Sequence, residues 1–112
     1  MDHPKTDLLQ GTLDLMILQA LATMGRQHGW GIARRLEQVS DEALFLNQGT
    51  IYPALIRLEQ QGWIRSEWGV SDNNRRAKFF AITAAGRGQL RVRTERWHRI
   101  SATMARLLGA SD

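Results

Sequence analysis

Three cations crowd one turn of this chain: Arg75, Arg76 and Lys78 close the stretch GVSDNNRR and begin the one after it. Guanidinium and ammonium groups held side by side neutralise phosphate, which supplies most non-specific affinity for nucleic acid; the alternative is a solvated surface. A second polar set lies upstream, at Gln48, Thr50, Tyr52 and Arg57. Gln pairs with the edge of adenine, Thr reaches a base or a phosphate, and a Tyr hydroxyl donates to a phosphate oxygen. By residue type alone Tyr52 serves equally well as a half-buried packing residue. Arg57, two residues before Glu59, could instead be solvated or paired with a neighbouring carboxylate. Asn73 and Asn74 read as turn residues, because Asn tolerates a left-handed backbone.

Catalytic chemistry finds no comparable foothold. With three histidines, no cysteine and no carboxylate cluster or glycine-rich loop, there is no nucleophile, base and orienter to assemble and no thiolate metal site. His28 reads as a helix-start or packing residue. Gly29 and Gly31 are spaced too closely for a phosphate-binding fingerprint and fit a helix start or close backbone approach. An enzyme, a cofactor and a metal are all unexpected.

The elements that must hold these residues follow from periodicity. Leu13, Met16, Ile17, Ala20, Leu21 and Met24 recur at helical spacing, predicting a first helix from Thr12, as N-cap, to Met24, stopped by Gly25. A second helix is expected over Trp30–Val39 with Ile32, Leu36 and Val39 inward, ending at Ser40 and Asp41. A third is expected from about Thr50 to Gln61, with Ile51, Leu55 and Leu58 on its buried stripe and Gly62 as its stop. Pro53 argues for a start close to Thr50, since proline is tolerated in the first turn and costs about 3 kcal/mol deeper in a helix. Strands at Trp63–Trp68 and Ala77–Thr83 make a hairpin around the basic turn, with Phe80 and Ile82 toward the core. Thr83 then caps a last helix over Ala84–Leu108.

Composition sets the remaining bounds. A 112-residue chain with 43% hydrophobic and 23% charged residues is one globular domain rather than a disordered segment. Its halves differ in sign: Asn73 to Arg106 carries nine cations against Glu95 alone, whereas the preceding part is slightly acidic. No export signal is visible, and the longest apolar tract, Leu13 to Met24, is too short and too interrupted to span a bilayer, so the expected location is cytoplasmic with no membrane partner. The first helix is apolar on both sides, through Leu15, Leu18 and Ala22, and asks for a second partner. The last helix offers Leu90, Trp97, Met104 and Leu108, with Ile100 alongside, at the spacing of a packing seam. The expectation is a homodimer joined through these two helices, with Leu15, Leu18, Leu90, Trp97, Ile100, Met104 and Leu108 at its interface.

Three helices, a hairpin with a basic tip and a long trailing helix describe a mainly α (α+β) winged helix-turn-helix with an added dimerisation helix, divided as 1–83 and 84–112. In such modules the later helix of the pair presents its N-terminal residues to the major groove, although Ser40–Asn47 is longer than the usual turn between the pair. The same scaffold can also serve as a protein-interaction or RNA-binding module. Wing arginines and a polar third helix favour DNA over a docking surface, which would carry apolar anchors.

The stretches LLQGTLDLMIL, HGWGI, NQGTIYPALIRLEQQGWI, RRAKFFAITAAGR and WHRI resemble the PadR family of bacterial transcriptional regulators, over about Leu8 to Leu108. The length resembles the short subfamily, with a single C-terminal helix. The resemblance implies a homodimer in which the last helix packs on the partner's first helix and which binds a palindromic operator in double-stranded DNA, usually as a repressor. It strengthens Tyr52 and the wing cations Arg75, Arg76 and Lys78 as DNA contacts. Two departures are visible: Trp30 replaces the tyrosine of HGYGI, and Phe79 and Phe80 replace that of KYY, which removes hydroxyls relatives carry there. Relatives with tryptophan in the W-x-R context line a cavity between subunits that holds planar aromatic compounds. That makes Trp97, with Arg93 to attract an anion, a candidate effector site, against the plainer role of an interface anchor.

Overall fold

The computed structural model describes residues 3–41, 46 and 48–109, and in residues 3–10 the backbone alone. Helix α1 spans His3–Met24, strand β1 Gln27–His28, helix α2 Gly29–Val39, helix α3 Gln48–Gln60, strands β2 Ile64–Val70 and β3 Arg76–Ile82, and helix α4 Ala84–Leu107. The fold is mainly helical, as expected, with a three-stranded antiparallel sheet in the order β1-β3-β2.

The core is built where the periodicity placed it. Leu13, Ile17 and Leu21 of α1, Ile32 and Leu36 of α2, and Ile51, Leu55 and Leu58 of α3 are buried together with Ile64 and Phe80 of the sheet. Each such side chain contributes about 1.5–3 kcal/mol on leaving water. Ile64 faces Ile82 and Ser66 faces Phe80 across the β2–β3 pair, so one sheet face closes the core. Gly25 and Gly62 end α1 and α3 at φ +83° and +81°, a conformation costly for residues with a Cβ.

Several boundaries differ from expectation. α1 begins at His3, so Thr12 lies inside the helix; the exposed Gly11, worth about 1 kcal/mol against helix, does not outweigh the burial of the turns that follow. α3 begins at Gln48, which puts Pro53 in the second turn. The hydrogen bond Pro53 forfeits is to Gly49, in the first turn, where the backbone is open to solvent. Strand β1 was not anticipated, because two residues carry no periodicity. It pairs Gln27 with Phe80 and His28 with Phe79. Val39, expected inward, is exposed at the end of α2, and Leu18, expected at a subunit interface, is fully buried in its own chain's core. Residues 42–45 and 47, within the expected inter-helix connection, lie outside the described residues.

α4 is anchored at its start, packs along α1 and becomes more exposed toward its end. The Thr83 Oγ1 accepts from the Gly86 N–H at 3.0 Å and donates to the Gly62 carbonyl at 2.7 Å, while the Thr83 N–H donates to the Trp63 carbonyl at 3.0 Å. A Cβ at Gly86 would collide with that same Trp63 carbonyl. Leu90 packs against the core, but Ile100 and Met104 are exposed and Leu107 and Leu108 are 74% exposed. The molecule is accordingly elongated, 52 × 30 × 27 Å. Among the described residues no helix is long and apolar enough to cross a membrane.

Candidate nucleic-acid interface

Four of the seven polar residues singled out in the sequence, Tyr52, Arg75, Arg76 and Lys78, line one cleft of about 620 Å³ between α3, the start of α2 and the β2–β3 hairpin. Tyr52 comes from α3, His28, Gly29 and Trp30 from the β1–α2 junction, and Trp68, Arg75, Arg76 and Lys78 from the hairpin. Strand alternation explains the last group: Arg76 and Lys78 share a parity with Phe80 and Ile82, so the strand that anchors its far end in the core turns these cations toward α3.

The hairpin tip is ordered by its own small residues. The Ser71 Oγ donates to the Asn73 Oδ1 at 2.8 Å, the Ser71 N–H to the Arg75 carbonyl at 2.8 Å, and Asn74 takes φ +62°, the left-handed conformation expected of it. Opposite, His28 does the work expected of a helix-start residue: its Nδ1 accepts from the Gly31 N–H at 2.9 Å. The His28 ring also meets the edge of Phe79 at 5.4 Å, which ties α2 to β3. Gly29 lies close to the core, since a Cβ there would sit 3.3 Å from the Leu55 Cδ1, tight enough that the leucine would have to shift.

The cations of the cleft are available. Among the described residues the ion pairs are Arg26–Glu67 and Arg57–Asp14, and neither uses Arg75, Arg76 or Lys78. Asp72 is the acidic residue in the lining, against those three cations. The field of the cleft therefore favours a polyanion.

The α3 candidates separate. Tyr52 is exposed and lines the cleft, Thr50 is half-buried, and the Gln48 side chain lies outside the described residues. Arg57 is turned away: its Nη2 donates to the Asp14 Oδ1 at 2.6 Å, and its side chain is partly buried. The sequence had left solvent or a carboxylate partner open for Arg57; the partner is Asp14 on α1, 43 residues away, which pins α3 to α1.

Trp30 and Trp68 were not recognised as lining residues. The Arg34 guanidinium lies 5.2 Å from the centre of the Trp30 ring and that of Arg76 4.5 Å from the centre of Trp68. Both pairings were available in the spacing: Trp30 and Arg34 are four apart on a helix, and Arg76 is diagonal to Trp68 across the hairpin.

A second surface has the opposite chemistry. Leu15, Met16 and Ala20 of α1, Leu36 and Val39 of α2, and Thr94, Trp97 and His98 of α4 enclose a largely apolar groove of about 410 Å³. Trp97 is 49% exposed there. Arg93, expected beside it, does not line the groove; its guanidinium lies 4.9 Å from the centre of the Trp63 ring, and Arg35 and His98 are the basic residues present instead.

A core of three helices, a hairpin wing beside the third of them and a cation-lined cleft between define a winged helix-turn-helix. Residues 17–92 match the family described as transcriptional regulator PadR-like. The backbone superimposes on a transcriptional regulator from Clostridium thermocellum with a TM-score of 0.79 at 27% identity, covering 89% of this chain and 96% of that one. A PadR family regulator from Clostridium difficile is similar at TM-score 0.72 and 30% identity, over 85% and 96% of the two chains. A PadR-like regulator from Bacillus cereus gives 0.77 at 26% identity, over 91% and 96%. An uncharacterised protein of Lysinibacillus sphaericus is 28% identical over 94 residues, 83% of this chain and 84% of its own length. The chain belongs to the PadR-like family: it is a transcriptional regulator and not an enzyme.

Proposed function

We propose that this regulator acts in the cytoplasm as a homodimer that binds a palindromic operator and represses the gene it controls. The observation that carries the proposal is the single cleft joining Tyr52 of α3 to Arg75, Arg76 and Lys78 of the wing. In a winged helix the third helix enters the major groove while the wing follows the adjacent backbone, so one residue set reads sequence and the other positions the protein. Residues 1–83 supply this reading head and residues 84–112 the dimerisation helix. The exposed Ile100, Met104 and Leu108, with the groove around Leu15 and Trp97, are the surfaces that a second copy would cover. A planar aromatic compound seated against Trp97 would relieve repression by changing how the two copies pack.

The test is binding of the full chain to the duplex upstream of its own gene, followed by fluorescence anisotropy at several salt concentrations. If the dimer makes at least six phosphate contacts, affinity falls roughly a thousandfold from about 50 to about 200 mM salt. Tyr52→Ala should lower affinity for the operator. Failure to bind any duplex at low salt, or equal affinity for an RNA hairpin, sinks the proposal. Equal operator affinity for Tyr52→Ala and the native chain removes Tyr52 from it.

A further inference from the structure

Two exposed tryptophans face the cationic cleft. Trp30 is 60% and Trp68 is 58% exposed, and both line the cleft. Neither belongs to the buried core. Each instead carries an arginine: Arg34 over Trp30 and Arg76 over Trp68. Arg34 and Arg76 have no carboxylate partner in the ion pairs of the described residues.

We propose that Trp68 and Trp30 are positioning residues which hold Arg76 and Arg34 as preformed clamps for the phosphodiester oxygens of duplex DNA, at two rims of one cleft. The inference rests on the DNA-binding reading and deepens it. A guanidinium held over an indole is attracted to the ring face and still has N–H donors to offer a phosphate in bidentate fashion. An unsupported surface arginine loses rotamer freedom when it binds, whereas one held over a ring has already given up part of it. The two clamps differ in closeness, 4.5 Å for Arg76 and 5.2 Å for Arg34, so the wing clamp has the larger effect. Arg76 also sits opposite Val70 in the register, with Trp68 diagonal to it on the same face, and among the described residues it forms no ion pair with Asp72, the acidic residue of the lining.

The experiment is a double-mutant cycle on operator binding, with the full-length chain and anisotropy as readout. Trp68→Leu should weaken operator binding about two- to fivefold for each protomer, roughly five- to thirtyfold for the dimer, the range expected for exposed cation–π contacts. Trp68→Phe, which keeps an aromatic face, should recover most of the loss. Trp68→Leu should add nothing once Arg76→Ala is present, because the ring acts only through the arginine. Arg76→Lys, which keeps the charge and loses the planar guanidinium, should reproduce the loss independently of how Trp68→Leu folds. Thermal unfolding of Trp68→Leu should match the native chain, as the ring is not in the core. Losses that add in the double mutant would mean that the indole touches DNA itself, and unchanged binding in Trp68→Leu and Arg76→Lys would mean that the contact is idle; either overturns the inference while leaving operator binding intact. A native chain that binds no duplex overturns the reading beneath it instead.

Discussion

The wing cleft and the α1–α4 groove are both open surfaces, yet they are made from opposite materials. The cleft sets Arg75, Arg76 and Lys78 around aromatic rings; the groove sets Leu15, Met16, Ala20 and Val39 around one tryptophan. Apolar area left in water is costly and marks a place another surface covers, whereas cations left in water are well solvated and cost little until a polyanion arrives. The two surfaces suit different chemistry: the groove gains stability when apolar surface covers it, and the cleft costs little until it meets phosphate.

The comparison breaks most visibly if the apolar side is charged. Leu15→Glu or Met104→Glu would place a carboxylate where the second copy is expected, and an unpaired charge taken out of water costs several kcal/mol. Sedimentation should show the dimer lost at micromolar concentration, with a fall in folded yield, since obligate dimers often lack a stable folded monomer. A dimer that persists in both variants would refute the assignment of that surface.

Next in size is the ion pair that joins α1 to α3. Asp14 is largely buried and Arg57 a third exposed, and the Arg57 Nε has no partner, so the Asp14 carboxylate is what compensates the cation. Asp14→Ala should lower stability by about 2 kcal/mol in urea unfolding, between the values for buried and surface pairs. Asp14→Asn, which keeps the shape and an acceptor, should cost less. Equal stability of Asp14→Ala and the native chain would make the pair decorative.

Smaller still, Arg75→Ala and Arg76→Ala should each weaken binding to all duplexes alike and flatten the plot of log affinity against log salt by about one per lost contact in each protomer. A change confined to one sequence would mean base reading instead. The least effect is expected at Trp97. Titration with flat aromatic acids and cationic dyes should quench tryptophan fluorescence in the native chain and not in a dimeric Trp97→Ala protein. Quenching that survives there assigns the signal to Trp30, Trp63 or Trp68.

How much of this was legible in the sequence depended on the range of the interaction. The Thr83 cap, the stops at Gly25 and Gly62 and the buried Ile51, Leu55 and Leu58 are local or periodic, and they appear where the sequence put them. Strand β1 exists only because β3 lies beside it, and the Asp14–Arg57 pair only because α1 crosses α3. Neither leaves a mark at short spacing. Leu18 misled for a related reason: a helix apolar all round does not say which side its own chain covers. The wing cations were legible because charge density needs no tertiary information. Their aromatic platforms passed unnoticed, because an isolated tryptophan in a sequence reads first as core.

The mounting of α4 has one further consequence. Twenty-four residues make a rod of roughly 36 Å, so a ten-degree tilt at its root would carry the far end by about 6 Å. The root resists such a tilt, with two hydrogen bonds from Thr83 to the β2 entry and Gly86 seated against the Trp63 carbonyl. In a dimer joined through these rods, the separation of the two α3 helices is set by a stiff ruler. Adding a single base pair between the half-sites, a displacement of about 3.4 Å along the duplex, would then fall outside its tolerance.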